Sequence, residues 1–382
     1  MNKFVFVVCG AREHISELNI SLKFLRHFTK NEIIVISDLK RNEIFIEHDN
    51  ILDVHTPSEL NNHEASIYIK TGLYKYLKDD NLYCYLDGDV IAMSDKVDEI
   101  FSCFQEPIIF GKDHCLMNEF SPHALNCGCI KVDFSDELIR KQFLDLEALF
   151  VKYRKYPFRY FFQNARYLLL RYVFPVKELN FSKYRFKKAD MCWYNGENRI
   201  ILEDYNHNSK KVYGKPVVEY SNKEEKWINK KGINDPFLTK CNHLAEYISN
   251  KHGLNIPYQW QHWNGGVFLF NKSSSAFLNK WHSLCVEEFK NNLTKTRDQL
   301  SLIVTVWDFK LENNSTLPSK YNWLAGYKNN RVAFDRNKGY TRDSFATIEN
   351  PVFLHVYDGW SKTGWSVWDA IIETAKENGI AL

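Results

Sequence analysis

The stretch Tyr85-Leu86-Asp87-Gly88-Asp89 ends an apolar run that begins at Leu82, and its two acidic side chains are spaced i, i+2. We interpret the run as a buried strand that carries two carboxylates at its carboxyl end. Open α/β sheets bind their ligands at that edge, and carboxylate oxygens suit Mg²⁺ or Mn²⁺ holding a diphosphate. The alternative is an acidic turn after a strand, because Asp-Gly is also a common turn pair. The motif alone leaves both interpretations open.

The first hundred residues alternate between strand-like and helix-like patterns. Apolar runs at Phe4–Val8 and Ile33–Ile36 are typical of buried strands, and the second run ends at Ser37-Asp38. Helical spacing of apolar residues follows the first run as far as Phe28 and recurs in Ala65–Leu77, directly before the acidic strand. Strands that alternate with helices predict a parallel, doubly wound α/β sheet. We therefore expect a nucleotide-binding α/β half here.

Composition and cysteine usage are those of a globular protein. The chain has 382 residues, of which 45% are hydrophobic and 25% charged, so disorder is not indicated. The nine cysteines are scattered without a Cys-x-x-Cys pair, which argues against a disulfide framework and favours a reducing compartment. The apolar run after Lys3 is shorter than the core of a signal peptide, and no run reaches the length of a transmembrane helix. A cytoplasmic protein is expected.

One segment, Val151–Lys188, is strongly basic. It holds eleven basic residues against the single acid Glu178, and aromatic side chains are interleaved throughout. Basic, aromatic and leucine side chains together predict a helix lying at an anionic membrane surface, peripheral on the inner face. The alternatives are a solvated basic face, a cradle for an anionic acceptor, or nucleic-acid binding. No sequence-specific nucleic-acid motif supports the last of these, so we expect no nucleic-acid partner.

The alternation of strands and helices divides the chain into three parts. It is clear in residues 1–134, is lost in residues 135–260, and returns in residues 261–382. We predict a mainly parallel central sheet with helices on both faces, built from the first and third parts. The middle part is interpreted as a large, partly helical insertion that faces the acceptor or a membrane.

Three later motifs carry polar groups next to apolar runs. Asn264-Gly265-Gly266-Val267 precedes a strand, and its glycines allow the backbone to approach a ligand closely. Arg297-Asp298-Gln299-Leu300 opens a helical stretch. His355 lies in an apolar run that continues to Gly359 and Lys362, where an imidazole can bind a metal and a lysine can reach a phosphate. Each motif alone is more often structural, but their order is distinctive.

That order resembles glycosyltransferase family 8, within the GT-A class of nucleotide-sugar transferases. The family's Asp-x-Asp is matched by Asp87 and Asp89, its Asn-x-Gly-Val strand by Asn264 to Val267, and its Asp-Gln pair by Asp298 and Gln299. A basic residue one helix upstream of the acidic motif is matched by Lys70. The late His-x-x-Gly-x-x-Lys is similar to His355 through Lys362, one residue longer here because of Asp358. The resemblance covers residues 1–134 and 260–365.

The resemblance implies roles for individual residues. Asp87, Asp89 and His355 would bind Mn²⁺ or Mg²⁺, and Lys70 and Lys362 would neutralise the departing diphosphate. Asp298 and Asn264 would hold the transferred sugar, and Gln299 would lie beneath its anomeric carbon, so Gln299, Asp298 and Lys70 are the expected catalytic residues. The residues expected to contact the donor are Cys9, Gly10, Ala11, Asp38, Lys70, Gly88, Asn264, Gly265, Gly359 and Lys362.

The implied reaction is transfer of a hexose-type sugar, with retention, from a nucleoside-diphosphate donor to a glycan or lipid-linked acceptor. A UDP-sugar is the expected donor. A sugar nucleotidylyltransferase would share the fold, but the first strand leads into Cys9-Gly10-Ala11-Arg12 rather than a glycine-rich phosphate loop. Two other classes stay open. A metal-dependent phosphohydrolase would use Asp87 as its nucleophile, and a non-catalytic polyanion or membrane binder would need only Val151–Lys188.

Overall fold

The computed structural model describes residues 1–127, 241–327, 332–336, 339–342, 346–347 and 350–382, together with six short strands between residues 178 and 229. The chain divides into two compact units. One comprises Met1–Cys127 and Asn242–Leu382, and the other comprises Gly128–Cys241.

The described strands and helices are numbered in chain order. The first unit begins with β1 (Asn2–Val7), α1 (Arg12–Phe28), β2 (Glu32–Ser37), β3 (Ile51–Asp53), α2 (Asn62–Thr71), α3 (Leu73–Tyr76), β4 (Leu82–Leu86), β5 (Val90–Ala92), β6 (Ile108–Leu116) and α4 (Met117–Ala124). The second unit contains β7 (Glu178–Phe181), β8 (Tyr184–Lys187), β9 (Cys192–Asn195), β10 (Asn198–Ile200), β11 (Val218–Ser221) and β12 (Lys226–Asn229). The first unit resumes with α5 (His243–His252), β13 (Gln261–Phe270), α6 (Ser275–Glu288), α7 (Arg297–Asp308), β14 (Trp323–Gly326), β15 (Val332–Asp335), β16 (Gly339–Arg342), β17 (Ala346–Thr347), β18 (Phe353–Asp358) and α8 (Ser366–Glu377).

The central sheet of the first unit has six strands in the order β3-β2-β1-β4-β13-β6. Strands β3, β2, β1 and β4 are parallel, whereas β13 runs antiparallel to both β4 and β6. The predicted mainly parallel α/β sheet is therefore confirmed. Crossover helices allow parallel neighbours, and they leave the carboxyl ends of β1, β2 and β4 at one edge.

Helices cover both faces of this sheet, because the side chains of β1 alternate between two cores. Phe4 and Phe6 pack in one core with apolar residues of α1 and α8, whereas Val5 and Val7 pack in the other with residues of α2, α6 and α7. All four side chains are at most 5% exposed. A strand buried on both faces is expected to be continuously apolar, which is why this run was recognisable in the sequence.

A second sheet of three strands, in the order β14-β18-β5, brings the end of the chain to the acidic motif. Strand β18 runs antiparallel to β5, and His355 is paired with Val90. The backbone N–H of Val356 also donates a 2.9 Å hydrogen bond to the carbonyl oxygen of Asp89. This register places the late histidine beside the second aspartate.

In the second unit, β7 to β10 form an antiparallel sheet and β11 and β12 form an antiparallel pair. Most of the basic segment Val151–Lys188 lies outside the described residues, and with it most of the helix predicted there. Where it is described, at β7 and β8, the chain is strand rather than helix. Tyr184-Arg185-Phe186-Lys187 alternates with a period of two, which favours a strand. Within the described residues, no helix combines the length and apolar character needed to cross a membrane.

Candidate metal and donor site

The acidic motif forms a tight turn between β4 and β5. The backbone N–H of Asp87 donates to the carbonyl oxygen of Gly266 at 2.8 Å. The backbone N–H of Val90 donates to the backbone carbonyl oxygen of Asp87 at 3.1 Å. The second bond closes the turn, and the first ties it to Gly266 within β13. Both carboxylates therefore leave the sheet at the edge where open α/β sheets bind ligands.

Asp87, Asp89 and His355 converge at this turn. One ligand atom from each lies within 4.8 Å of the others, and His355 Nε2 is 3.3 Å from Asp89 Oδ1. Burial opposes the charge of both groups, but their mutual attraction outweighs it, so the pKa of Asp89 is lowered and the pKa of His355 is raised. Two carboxylates and an imidazole are a donor set that fits Mn²⁺ or Mg²⁺.

The tautomer of His355 is determined by a chain of amide side chains. The backbone N–H of Gly266 donates to Asn264 Oδ1 at 2.9 Å, so that oxygen is an acceptor. Asn322 Nδ2 donates to the same oxygen at 3.1 Å, which leaves Asn322 Oδ1 to accept from His355 Nδ1 at 3.0 Å. With the hydrogen on Nδ1, neutral His355 presents a lone pair at Nε2, on the side of Asp89. Asn322, which is only 4% exposed, was not predicted from the sequence.

Lys70 connects the acidic motif to the Asp-Gln motif. Helix α2 starts with a capping box between Asn61 and Glu64 and carries Lys70 in its last turn. The lysine Nζ lies 3.0 Å from Asp87 Oδ1 and 3.3 Å from Asp298 Oδ2. Burial disfavours the ammonium, but the two carboxylates more than compensate, and the pKa of Lys70 is raised. Lys70 therefore stays charged and holds both carboxylates in position.

Gln299 lies beside Gly265, which in turn lies close to Lys70. Gly265 N–H donates to Gln299 Oε1 at 3.2 Å, and Gln299 Nε2 donates to the carbonyl oxygen of Trp263. A Cβ on Gly265 would be 3.6 Å from Lys70 Nζ and 3.7 Å from Gln299 Oε1. The structure thus brings together the predicted residues Lys70, Asp87, Asp89, Asn264, Gly265, Asp298, Gln299 and His355.

Two of the residues predicted to contact the donor, Gly10 and Asp38, lie after the ends of β1 and β2. Gly10 has φ +93, and a Cβ there would lie 2.3 Å from Asn62, so the turn requires glycine. Asp38 is 4% exposed. Its Oδ2 accepts hydrogen bonds from the Thr56 N–H at 3.0 Å and the Thr56 hydroxyl at 2.7 Å, whereas its buried Oδ1 has no partner. An unpaired buried acceptor is costly, so a ligand hydroxyl or N–H would be favourable there.

The remaining predicted residues occupy supporting or peripheral positions. Ala11 is the N-cap of α1, Cys9 is buried, and the carbonyl oxygen of Gly88 accepts from Ser21 Oγ at 2.7 Å. Gly359 has φ +91 in the loop after β18, and the Lys362 ammonium lies over the ring of Tyr327, 5.2 Å from its centre. The contacts described for Lys362 do not connect it to the aspartates.

No protein-family model matches the chain, and no curated protein matches it. Similar solved structures include the apo form of the bifunctional glycosyltransferase WbbM, at 12% identity and TM-score 0.41, with 97% of this chain and 49% of that chain covered. Another is an active-site mutant of LgtC, at 13% identity and TM-score 0.38, with 98% and 95% covered. Apo mouse xyloside xylosyltransferase 1 is similar at 8% identity and TM-score 0.37, with 93% and 97% covered.

The chain spans about half the length of the WbbM chain. The identities and TM-scores of all three structures are low, so the evidence for function lies in the side chains of the site.

Proposed function

We propose that the chain is a metal-dependent glycosyltransferase. It would move a hexose from a nucleoside-diphosphate donor, a UDP-sugar, to a glycan or lipid-linked acceptor. The observation that carries the proposal is the convergence of Asp87, Asp89 and His355 within 4.8 Å, next to a buried lysine that bridges Asp87 and Asp298. Mn²⁺ or Mg²⁺ bound by the first three residues would hold the donor diphosphate and offset its charge as it leaves.

Lys70 would supply fixed positive charge beside the departing diphosphate. Its side chain is 9% exposed and already held by two carboxylates, so little reorganisation accompanies the reaction. In the transfer, the bond between the anomeric carbon and the diphosphate oxygen breaks and the acceptor oxygen forms the new bond. The acceptor proton leaves with the diphosphate.

Gln299 is proposed to lie beneath the anomeric carbon as a polar neighbour, in a reaction that retains configuration. Both ends of its amide are held by the backbone, through Gly265 and Trp263, which fixes its orientation. Asp298, in the first turn of α7, would accept from sugar hydroxyls. The amide of Asn264 is bonded to Asp113, Gly266 and Asn322, so its proposed contribution is to shape the site around the sugar.

Asp38 is proposed to bind the nucleoside. Its unpaired Oδ1 is buried at the end of β2, next to the Cys9-Gly10 turn. The ribose hydroxyls and the base N–H of a uridine are donors that could pair with this oxygen. Pairing would remove the desolvation cost that Asp38 carries in the free chain.

The contacts of Asp87 favour transfer over phosphohydrolysis. A phosphohydrolase would need Asp87 as a free nucleophile. Here Asp87 Oδ1 accepts a 2.6 Å hydrogen bond from Tyr85, and Lys70 contacts both carboxylate oxygens at 3.0 and 3.2 Å. These contacts occupy part of the lone-pair capacity of both oxygens, so Asp87 is not a free nucleophile.

Peripheral membrane attachment rests on the sequence of Val151–Lys188 alone. We propose that this segment faces the acceptor, either as a membrane contact or as a cradle for an anionic glycan. Replacing Lys152, Arg154, Lys155 and Arg159 by Gln should weaken binding to acidic liposomes, and that binding should also fall with salt. Unchanged liposome binding together with lost activity on a soluble acidic glycan would favour the cradle.

The class of donor can be tested by thermal-shift measurements on a panel of sugar nucleotides with and without Mn²⁺. A true donor should raise the Tm by mass action, and only when Mn²⁺ is present. The anomeric configuration of the product, determined by NMR, should match that of the donor. An inverted product would contradict the role proposed for Gln299.

A further inference from the structure

A second cluster of metal-ligating side chains lies in the first unit, apart from the aspartate turn. It consists of Asp113 and Cys115 on β6 and His262 on the neighbouring strand β13. Residues i and i+2 of a strand point to the same face, so Asp113 and Cys115 project together. The antiparallel pairing of β6 with β13 brings His262 opposite them.

The three ligand atoms are spaced as they would be around a tetrahedral cation. Cys115 Sγ lies 3.2 Å from Asp113 Oδ1 and 3.6 Å from His262 Nε2, and Nε2 lies 3.9 Å from Oδ1. Zinc bound to one thiolate, one imidazole and one carboxylate at ordinary bond lengths would separate the sulfur from the other two atoms by roughly 3.5 to 3.7 Å and the nitrogen from the oxygen by roughly 3.3 to 3.5 Å. To reach that geometry, Nε2 and Oδ1 would approach each other by roughly half an ångström and Sγ and Oδ1 would separate by roughly 0.3 to 0.5 Å.

The surroundings of the cluster resemble those of a supported metal site. The second carboxylate oxygen of Asp113 accepts a 2.9 Å hydrogen bond from Asn264 Nδ2, which orients the carboxylate. His262 is fully buried, and its Nδ1 lies 3.2 Å from the carbonyl oxygen of Trp263. With the hydrogen on Nδ1, that carbonyl is its acceptor and Nε2 is free to bind a metal. Cys115 is half-buried, so the cluster is not sealed.

We infer that Asp113, Cys115 and His262 form a zinc site that is separate from the Asp87 site. Thiolate and imidazole ligands favour Zn²⁺, whereas the oxygen-rich set of Asp87 and Asp89 favours Mn²⁺ or Mg²⁺. On binding, the Cys115 thiol loses its proton to solvent, and a Zn–S bond replaces the present S–H donation to Asp113 Oδ1. Three protein ligands leave a fourth position open to water.

Zinc at this position would be coupled to the proposed sugar site through Gln299. Gln299 Nε2 lies 3.1 Å from His262 Nδ1. When Nε2 of His262 binds zinc, its Nδ1 carries a hydrogen and cannot accept from that amide. The Gln299 amide is then held by Trp263 and Gly265 alone, so zinc binding would remove one of its three contacts.

Cobalt substitution tests the site without depending on enzymatic activity. The full chain carrying Asp89→Asn, which removes a ligand of the other site, is stripped with a chelator and titrated with Co²⁺. We expect a thiolate-to-cobalt charge-transfer band in the near ultraviolet and the intense visible bands of tetrahedral cobalt, both displaced by Zn²⁺. Cys115→Ser should abolish the charge-transfer band, whereas Cys103→Ser, a matched change at another half-buried cysteine, should retain it.

A second variant, Asp113→Asn, distinguishes loss of a ligand from misfolding of Cys115→Ser. Asp113→Asn keeps the thiol and the shape of the side chain, and because it removes the charge of a direct ligand it should weaken Zn²⁺ binding by more than the roughly 10- to 100-fold caused by removing an outer partner. Circular dichroism verifies that each variant is folded. Absence of the charge-transfer band in the parent protein, or its persistence in Cys115→Ser, would overturn the inference. Neither result would bear on Mn²⁺ binding at the aspartate turn.

Discussion

His355 and Asn322 are joined by a hydrogen bond of 3.0 Å from the imidazole Nδ1 to the amide Oδ1, and this bond leaves the imidazole Nε2 facing Asp89. Asn322 lies in a connection just before β14, whereas His355 lies within β18. Their contact therefore depends on the parallel pairing of these two strands. Asn322, which is far from the acidic motif in sequence, thus orients His355, one of the three proposed metal ligands.

Removing the Asn322 amide should weaken metal binding without removing a ligand. Asn322→Ala leaves the Nδ1 hydrogen of His355 without its acceptor, and we expect a loss of about 10- to 100-fold in Mn²⁺ affinity. Isothermal titration calorimetry gives the affinity directly. The exposed Asn313 provides a matched control, since Asn313→Ala should bind Mn²⁺ as the wild type does. Equal affinities for the wild type and Asn322→Ala would contradict this orienting role.

Steric space at the two neighbouring glycines provides a second test. A Cβ at Gly266 would lie 2.2 Å from His355 Cε1, whereas the closest atom to a Cβ at Gly265 is Lys70 Nζ at 3.6 Å. Gly266→Ala should therefore displace the imidazole and lower Mn²⁺ affinity by about tenfold or more, while Gly265→Ala should change it little. Similar losses in both variants would mean that the approach to Gly266 does not position His355.

Lys70 should also be important for the stability of the fold. Lys70→Gln would leave Asp87 and Asp298, whose side chains are 26% and 22% exposed, without their shared counter-charge. We expect the free energy of unfolding of the metal-free protein to fall by about 3 kcal/mol, measured by urea denaturation. Lys78→Gln, at an exposed lysine close in sequence, should change it by less than about 0.5 kcal/mol. A neutral effect of Lys70→Gln would contradict the bridging role.

The pair formed by His355 and Asp89 should make the stability of the metal-free protein depend on pH. The raised pKa of His355 adds stability that is complete below its ordinary value of about 6.5 and is lost as the pH rises through the folded-state pKa. The lowered pKa of Asp89 adds stability that is complete above about 3.9 and is lost as the pH falls through the folded-state pKa. Both contributions are present between about pH 4 and 6.5.

The difference in unfolding free energy between the wild type and His355→Gln should therefore be greatest in this window and should shrink at higher pH. Denaturation curves collected at a series of pH values measure it. A difference that is constant from pH 5 to about 9 would show that the pair does not titrate as inferred.

The parts of the site that were predictable from the sequence are those whose chemistry is local. The apolar run of β4 and the following Asp87-Gly88-Asp89 turn are continuous in the chain, and so is Asn264-Gly265-Gly266, although this stretch lies within β13 and not before a strand. The approach of His355 to Asp89 depends on the pairing of β18 with β5, which no local pattern specifies. Asn322 carries no sequence signal because a single amide in a loop resembles any turn residue.

Two other features of the chain, Asp113 and the strand β8, were not predicted from the sequence pattern. Asp113 follows the apolar run Ile108–Gly111 by two residues, and this could have suggested a polar strand end like that of Asp87, although β6 continues to Leu116. At β8, the aromatic and basic residues suggested an amphipathic helix, although their strict alternation is typical of a strand. Composition identified the residue types in that segment, but it did not determine the period.

The dependence of donor cleavage on metal tests the central proposal most directly. Release of nucleoside diphosphate from the stabilising sugar nucleotide should be measured for the wild type with Mn²⁺, in excess EDTA, and after Mn²⁺ is restored. We predict that release falls to background in EDTA, recovers with Mn²⁺, and is absent in a folded Asp89→Asn variant. Undiminished release in EDTA, or full activity of Asp89→Asn, would contradict a metal-dependent transferase built on Asp87, Asp89 and His355.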